Sequence, residues 1–306
     1  MLDRTRDACD NGRVARFLTL NTFLLEVRLF GRLHVYPPAP WAEKRLAALP
    51  AALAATGADV IALQEVYRRP HRRFLADTLA GAYPYTAGLE HSGIPLGTGL
   101  MVLSRHPIAV AEAFEFRAAL VEERIAIRKG GLECRVRFPD LGTVRFINFH
   151  LVAGGLAGHP EERRGETCRS GQIDELAARA DTGNGEPVVM LGDLNAGTRA
   201  SPANYRRMIG AGFRDAVGEA GGGDLVSWDP GNPLITGERN RSLPPQRMDQ
   251  ILIREAGSAH LAAAAAAIVL DERAVDVGEE APLPLSDHYG VAVDIVVRER
   301  PPSVAG

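Results

Sequence analysis

Asp193 and Asn195 stand two residues apart, directly after the apolar run Val188-Val189-Met190-Leu191 and Gly192. Four apolar residues in a row read as a buried strand. At the end of a strand, a two-residue spacing puts both side chains on one face. A carboxylate beside a carboxamide can hold a water, a metal-bound oxygen or a phosphate oxygen. A tight Asp/Asn turn closing a core strand would have the same sequence. The pattern recurs, however, at other strand ends. Asn21 follows Phe17–Leu20, Glu65 follows Val60–Gln64, and His150 follows Val144–Phe149. Asp249 opens the run Gln250–Ile253, and Asp287-His288 precedes Val291–Val297. Each alone has a plain structural explanation, as a solvated carboxylate or a structural histidine. Together they offer hard oxygen ligands suited to Mg²⁺, and two histidines whose ordinary pKa suits proton transfer. The sequence holds no thiolate set and no His-x₃-His pair, which disfavours zinc. It also lacks a Gly-x₄-Gly-Lys-Ser/Thr loop and a Gly-x-Ser-x-Gly elbow.

The elements that must position these residues alternate between strand and helix patterns, so the fold class is α/β. Leu46, Leu49 and Leu53 predict a helix over 42–55, with Pro50 implying a kink or a late start and Gly57 a stop. The stretch from Phe23 to Trp41 reads as a loop rich in bulky apolar residues. Arg68, Arg69, His71, Arg72 and Arg73 form a basic segment, either a solvated helix face or a patch facing an anion. Gly154 to Gly171 reads as a glycine-rich charged loop, leading into a short helix over 172–180. A further helix is expected around 204–209. The stretch from Ser227 to Gln246 carries four prolines and little pattern; irregular loops of that length are often functional. Alanine leaves Ala259–Leu270 open as a strand or a helix.

The 306 residues are 46% hydrophobic and 24% charged, with a net charge of −3 and a pI near 6.3. That balance argues against a strongly electrostatic nucleic-acid binder. Three scattered cysteines, Cys9, Cys134 and Cys168, point to reduced thiols. Met1–Arg16 is polar and charged and holds no apolar signal core, so a cytoplasmic protein is expected, with a processed secreted form left open. No apolar run is long enough to span a bilayer. With no repeat and no compositional break, a single domain over 17–298 is expected, between an N-terminal extension (1–16) and a disordered tail (299–306).

The order Leu20-Asn21, Leu63-Gln64-Glu65-Val66, Gly99–Arg105, Asn148-Phe149-His150, Gly192-Asp193-Leu194-Asn195, Met248–Leu252 and Ser286-Asp287-His288 resembles the endonuclease/exonuclease/phosphatase superfamily. The resemblance implies a four-layer α/β sandwich, two mixed β-sheets face to face flanked by helices. It implies hydrolysis of phosphoesters with Mg²⁺ or Mn²⁺. Carried over by position, Glu65 is the principal metal ligand, with Asn21 beside it. Asp193 and Asn195 orient the attacking water and a phosphate oxygen. His150 and His288 contact the scissile phosphate and handle protons. Asp249 and Asp287 hold His288 and complete the polar shell, Asp287 being counted with the metal ligands. His150 is similar to both deoxyribonucleases and neutral sphingomyelinases, while Gly97–Pro107, the pair Lys129-Gly130 and Leu194 resemble the sphingomyelinase branch, which makes Lys129 a substrate-binding residue. The expected activity is a sphingomyelinase or phospholipase C-like phosphodiesterase acting on a lipid headgroup, with peripheral membrane contact. The alternative is a deoxyribonuclease-like endonuclease or a phosphatase on a soluble phosphoester.

Overall fold

The computed structural model describes residues 14–26, 28–29, 33–34, 39–88, 97–121, 124, 127–139, 141–153, 160–181, 186–255, 260–278 and 281–298. The chain begins with β1 (Val14–Asn21), β2 (Arg28–Leu29), β3 (Leu33–His34), α1 (Ala42–Ala55), β4 (Val60–Gln64), α2 (Arg69–Leu79), β5 (Tyr85–Gly88) and β6 (Met101–Ser104). It continues through β7 (Ile108–Glu115), β8 (Gly130–Phe138), β9 (Gly142–His150), α3 (Pro160–Asp181), β10 (Val188–Asp193) and α4 (Pro202–Gly210). β11 (Arg214–Asp215), α5 (Ala216–Glu219), α6 (Glu238–Arg241), β12 (Asp249–Arg254), β13 (His260–Val269) and β14 (Gly290–Arg298) follow.

Two six-stranded sheets result, in the orders β13-β14-β1-β4-β6-β5 and β11-β12-β10-β9-β8-β7. Both are mixed. β1 runs parallel to β4 and β10 parallel to β9, while the other pairs are antiparallel. Alternation along each strand sorts the side chains into two faces. Phe17, Val60, Ala62 and Val102 face Phe146, Val189, Leu191 and Ile251 in the core between the sheets. On the outer face of the first sheet, Leu18, Leu20, Ile61 and Leu63 pack under Leu46, Leu49 and Leu53 of α1 and Leu75 and Leu79 of α2. On the outer face of the second, Ile147, Phe149, Met190 and Leu252 pack under Ile173 and Leu176 of α3 and Met208 of α4. Strands covered on both faces carry the uninterrupted apolar runs seen in the sequence. Each such side chain contributes roughly 1.5–3 kcal/mol by leaving water. The architecture is the expected four-layer sandwich.

Several boundaries differ from expectation. β1 begins at Val14, not Phe17, and pairs with β14 from that residue on. α1 passes through Pro50, its buried Leu46, Leu49 and Leu53 compensating the hydrogen bond that proline cannot donate. The predicted loop up to Gly171 is helical from Pro160. Buried Arg169 overrides the poor local propensity, donating to Asn204 Oδ1 (2.9 Å), the Val152 carbonyl (3.2 Å) and Ser201 Oγ (2.8 Å). The alanine-rich stretch is the edge strand β13, with a register shift between Ala263 and Ala265. The proline-rich stretch before β12 is anchored by bridges from Trp228 to Gln246 and to His288. Of the apolar loop after Asn21, Phe30, Val35 and Tyr36 lie outside the described residues, as do the expected tail and most of the N-terminal extension. Among the described residues, no helix is long and apolar enough to cross a membrane.

Candidate active site

The space between the sheets turns polar at one end. The inner rows read Phe17, Thr19, Asn21 on β1 and Val60, Ala62, Gln64 on β4. They read Phe146, Asn148, His150 on β9 and Val189, Leu191, Asp193 on β10. β12, running the other way, reads Ile253, Ile251, Asp249. The register aligns these ends: Asn21 with Gln64, and Asp193 with both His150 and Asp249. β9 and β10 approach so closely here that a Cβ on Gly192 would run into the Phe149 carbonyl.

Asp193 lies at the centre, 1% exposed. Its Oδ2 accepts from Asn21 Nδ2 (3.1 Å) and Asn195 Nδ2 (3.2 Å), and its Oδ1 from the Asn195 amide (2.7 Å). His150 Nε2 is 3.3 Å and His288 Nε2 4.0 Å from Oδ2. Burial pushes the Asp193 carboxyl up, but His288, His150 and Lys129 outweigh it and hold the group well below the usual carboxylate range. Lys129 Nζ is 2.7 Å from His150 Nε2. The other ring nitrogen of His150, Nδ1, is a buried atom with no hydrogen-bond partner.

His288 Nδ1 meets Asp249 Oδ2 at 2.8 Å, and that oxygen also accepts from Ser227 Oγ at 2.7 Å. The backbone amides of Met248 and Asp249 donate back to Ser227 Oγ. Burial opposes the charge on His288, yet Asp249, Asp193 and Asp287 together raise the imidazole well above its ordinary value. Burial likewise raises Asp249, with His288 pulling the other way. Asp287 is pushed up to about 6 by burial, with His288 and Arg45 opposing and Glu65 and Asp193 adding.

Glu65 follows the last residue of β4 in a left-handed conformation (φ 62°), as does Asn195 after β10 (φ 50°). Such backbone is costly for residues other than glycine and concentrates at functional sites. The Glu65 Oε2 atom is buried without a hydrogen-bond partner. Asn21 Oδ1 accepts from the Phe23 amide (3.1 Å) and keeps a second lone pair. The chain thus gathers Asn21, Lys129, His150, Asp193, Asn195, Asp249 and His288 through direct contacts, with Glu65 and Asp287 close enough to act on one another by charge.

Two further residues were not singled out from sequence. Ser227 ties Asp249 to the bridge beside His288; its only local signal is a hydroxyl before Trp228. Arg45, fully buried on α1, donates to the carbonyls of Pro40 (2.9 Å), Thr22 (3.0 Å), Leu285 (2.9 Å) and Phe23. It thereby fastens the segment after Asn21 to the segment before Asp287. Burial lowers its guanidinium to about 10, against the pull of Asp287 and Glu65.

A second set of acidic and histidine side chains lies between α1 and α2. Arg68 Nη1 donates to Glu26 Oε2 (2.6 Å) and Glu43 Oε1 (3.1 Å) and contacts His71 Nε2 (3.2 Å). The basic segment is therefore only partly solvated: His71 and Arg72 are buried, and Arg68 is paired with acids.

The profile of the Endonuclease/Exonuclease/phosphatase family matches residues 18–288. The chain belongs to this family. A curated relative, the inositol phosphosphingolipids phospholipase C of Saccharomyces cerevisiae, is 30% identical over 157 residues, 48% of this chain and 31% of that protein's length. Sphingomyelinase C from Streptomyces griseocarneus shares the fold with a TM-score of 0.67 and 23% identity, over 92% of this chain and 99% of that one. D. rerio TDP2, solved with a single-strand DNA product, does so at 0.68 and 17%, over 92% and 98%. A Staphylococcus aureus beta toxin variant solved with bound magnesium ions does so at 0.68 and 16%, over 91% and 98%. The donors of the family site fit a divalent cation. They are carboxylate and carboxamide oxygens, one of them the buried and unpartnered Glu65 Oε2.

Proposed function

We propose that the chain is a Mg²⁺-dependent phosphodiester hydrolase of the sphingomyelinase and phospholipase C type, in which an activated water attacks phosphorus in line with the leaving oxygen. The observation that carries this reading is Asp193, a buried carboxylate on which Asn21, Asn195, His150 and His288 converge. A group so placed accepts a proton from water, while the donors around it receive phosphate oxygens. Glu65, with Asn21 and Asp287, would hold the cation, which when bound would neutralise phosphate charge and stabilise the leaving oxygen. Asn195 orients the water beside Asp193. His150 contacts the scissile phosphate, and Lys129 beside it binds a phosphate oxygen. His288 gives the leaving oxygen a proton from Nε2, while Asp249 holds the ring through Nδ1. The step balances: the water oxygen bonds to phosphorus, the ester P–O bond breaks, Asp193 takes a proton from water and the leaving oxygen receives one.

The substrate we favour is a lipid phosphodiester at a membrane surface. The yeast relative and the Streptomyces neighbour support it by name, and the weakly acidic net charge speaks against duplex DNA. Trp41, 42% exposed at the head of α1 and at the end of the segment that follows Asn21, supports contact with a membrane interface. The DNA product on D. rerio TDP2 favours the second reading, a nuclease or a phosphatase on a soluble phosphoester. Side-by-side turnover of sphingomyelin, lysophospholipid and DNA, each with Mg²⁺ and with chelator, separates them. Lipid hydrolysis abolished by chelator is expected, and Trp41→Ser should weaken it on vesicles far more than on a soluble chromogenic diester. DNA cleavage without lipid turnover would overturn the lipid reading, and activity surviving chelation would overturn the metal.

A further inference from the structure

Where the inner face turns polar lies a contact that crosses from sheet to sheet. Asn148 on β9 and Gln64, the last residue of β4, are both fully buried. Gln64 Nε2 donates to Asn148 Oδ1 at 2.8 Å. Asn148 Nδ2 donates to the Leu63 carbonyl (2.9 Å) and the Met101 carbonyl (3.0 Å), the paired ends of β4 and β6. Thr19 on β1 meets Gln64 Nε2 at 3.0 Å. Both hydrogens of the Asn148 amide and its oxygen are therefore spent on the opposite sheet. Ala62 and Phe146, two residues back along the two strands, and Leu191, paired with Asn148, belong to the apolar core. A saturated amide network inside such a core fixes one arrangement, because any slip of the sheets leaves several buried polar groups unpaired.

What the network touches gives it a role. Gln64 adjoins Glu65, the carboxylate in left-handed backbone. Asn148 precedes His150 by two residues, on the same face of β9. We infer that Gln64 and Asn148 form an inter-sheet clasp that sets where Glu65, on the first sheet, stands relative to His150 and Asp193 on the second. The two are positioning residues for the reaction proposed above, and the inference rests on that reading for its catalytic consequence. Apolar packing of two sheets is non-directional and tolerates sliding. A reaction whose groups come from both sheets needs a directional contact across the gap. The clasp supplies it beside the site.

The test compares Asn148→Leu, the milder Gln64→Met, their double variant, and Phe146→Leu as a control in the apolar row of the same strand. Thermal midpoint, kcat and KM on bis(p-nitrophenyl) phosphate with Mg²⁺, and NMR shifts of the His150 ring and Leu151 amide are recorded. Displacing reacting groups by about 1 Å costs about 10²-fold in rate. Each clasp variant should lose kcat on that order with KM unchanged and with shifted His150 signals. The double variant should be no slower than the worse single, since both break one contact. Phe146→Leu should lower the midpoint while leaving kcat and the His150 signals near wild type. Wild-type kcat in a folded Gln64→Met, or equal kcat losses in clasp and control variants of equal midpoint, would overturn the inference. If the wild-type protein leaves the diester intact, the proposed function fails. The His150 signals of Gln64→Met then still decide the clasp: shifted signals support it and unshifted ones overturn it.

Discussion

Two clusters in this protein set a histidine among carboxylates, and the two imidazoles behave oppositely. His288 sits with Asp249 and Asp193, and its pKa is raised. His71 sits with Glu43 and Glu26, and its pKa is lowered. Burial opposes the charge on both. At His71, Glu43 resists burial but the Arg68 guanidinium adds to it, because Arg68 already supplies the positive charge. At His288 the carboxylates have Arg45 and Lys129 only at their margins, so the histidine is the central cation. The difference is chemical as well as electrostatic. Arginine does not release a proton in proteins, whereas imidazolium does so readily. One cluster is a closed ion network, and in the proposed reaction the other supplies a transferable proton. Cluster composition alone would not tell them apart; the cation at the centre does.

The largest effect that sharpens this contrast is on the chemical step. His288→Ala should lower kcat by about 10²–10⁴-fold, the usual worth of a positioned acid or base, in a protein that remains folded. His71→Ala should leave kcat near wild type and lower the thermal midpoint. A rate loss in His71→Ala comparable to that in His288→Ala, at unchanged substrate affinity, would dissolve the distinction. The next effect concerns the cation. Glu65→Gln removes a charge with little change of shape, and calorimetric titration with Mg²⁺ should show weakened binding. Glu43→Gln should titrate like wild type. The reverse ranking would move the metal to the α1–α2 cluster.

The smallest effect is on stability against pH. His71 has a folded pKa below the unfolded value of about 6.5. The unfolded chain therefore binds more protons in the window between the two values. Stability should fall as pH drops below about 6.5 and level off below the folded pKa. His71→Gln should flatten that part of the curve in urea titrations taken across the window. An unchanged slope would mean that burial does not hold His71 neutral.

The sequence was most legible where one residue speaks for a whole element. Val188–Leu191 reads as a buried strand, and the polar residues that close four strands and precede two more come together at one end of the inner face. What stayed hidden depended on partners distant along the chain. The first half of α3 looks like a loop because its glycines and charges are poor helix formers; it is held by Arg169 reaching residues more than thirty positions on. Arg45 reads as one more cation on a helix, and only the folded chain shows it donating to carbonyls before Asp287. Ser227 gave no signal because a hydroxyl in a proline-rich stretch is ordinary until Asp249 is beside it. The alanines of β13 carry too little side chain to choose a period.

β14 lies between β13 and β1, so the first strand of the fold stays half-paired until the last one arrives. During synthesis, Val14 waits for Val296, and a row of backbone donors and acceptors on β1 remains open to any strand that passes. Contacts of such long range form late and slowly. Asp287 and His288 lie on the segment that leads into β14, so the proposed active site closes in the same event that seals the sheet. In refolding from denaturant, recovered turnover therefore timestamps the docking of that strand. An intermediate with most of its helices formed should be catalytically silent and, through the open edge of β1, prone to aggregate.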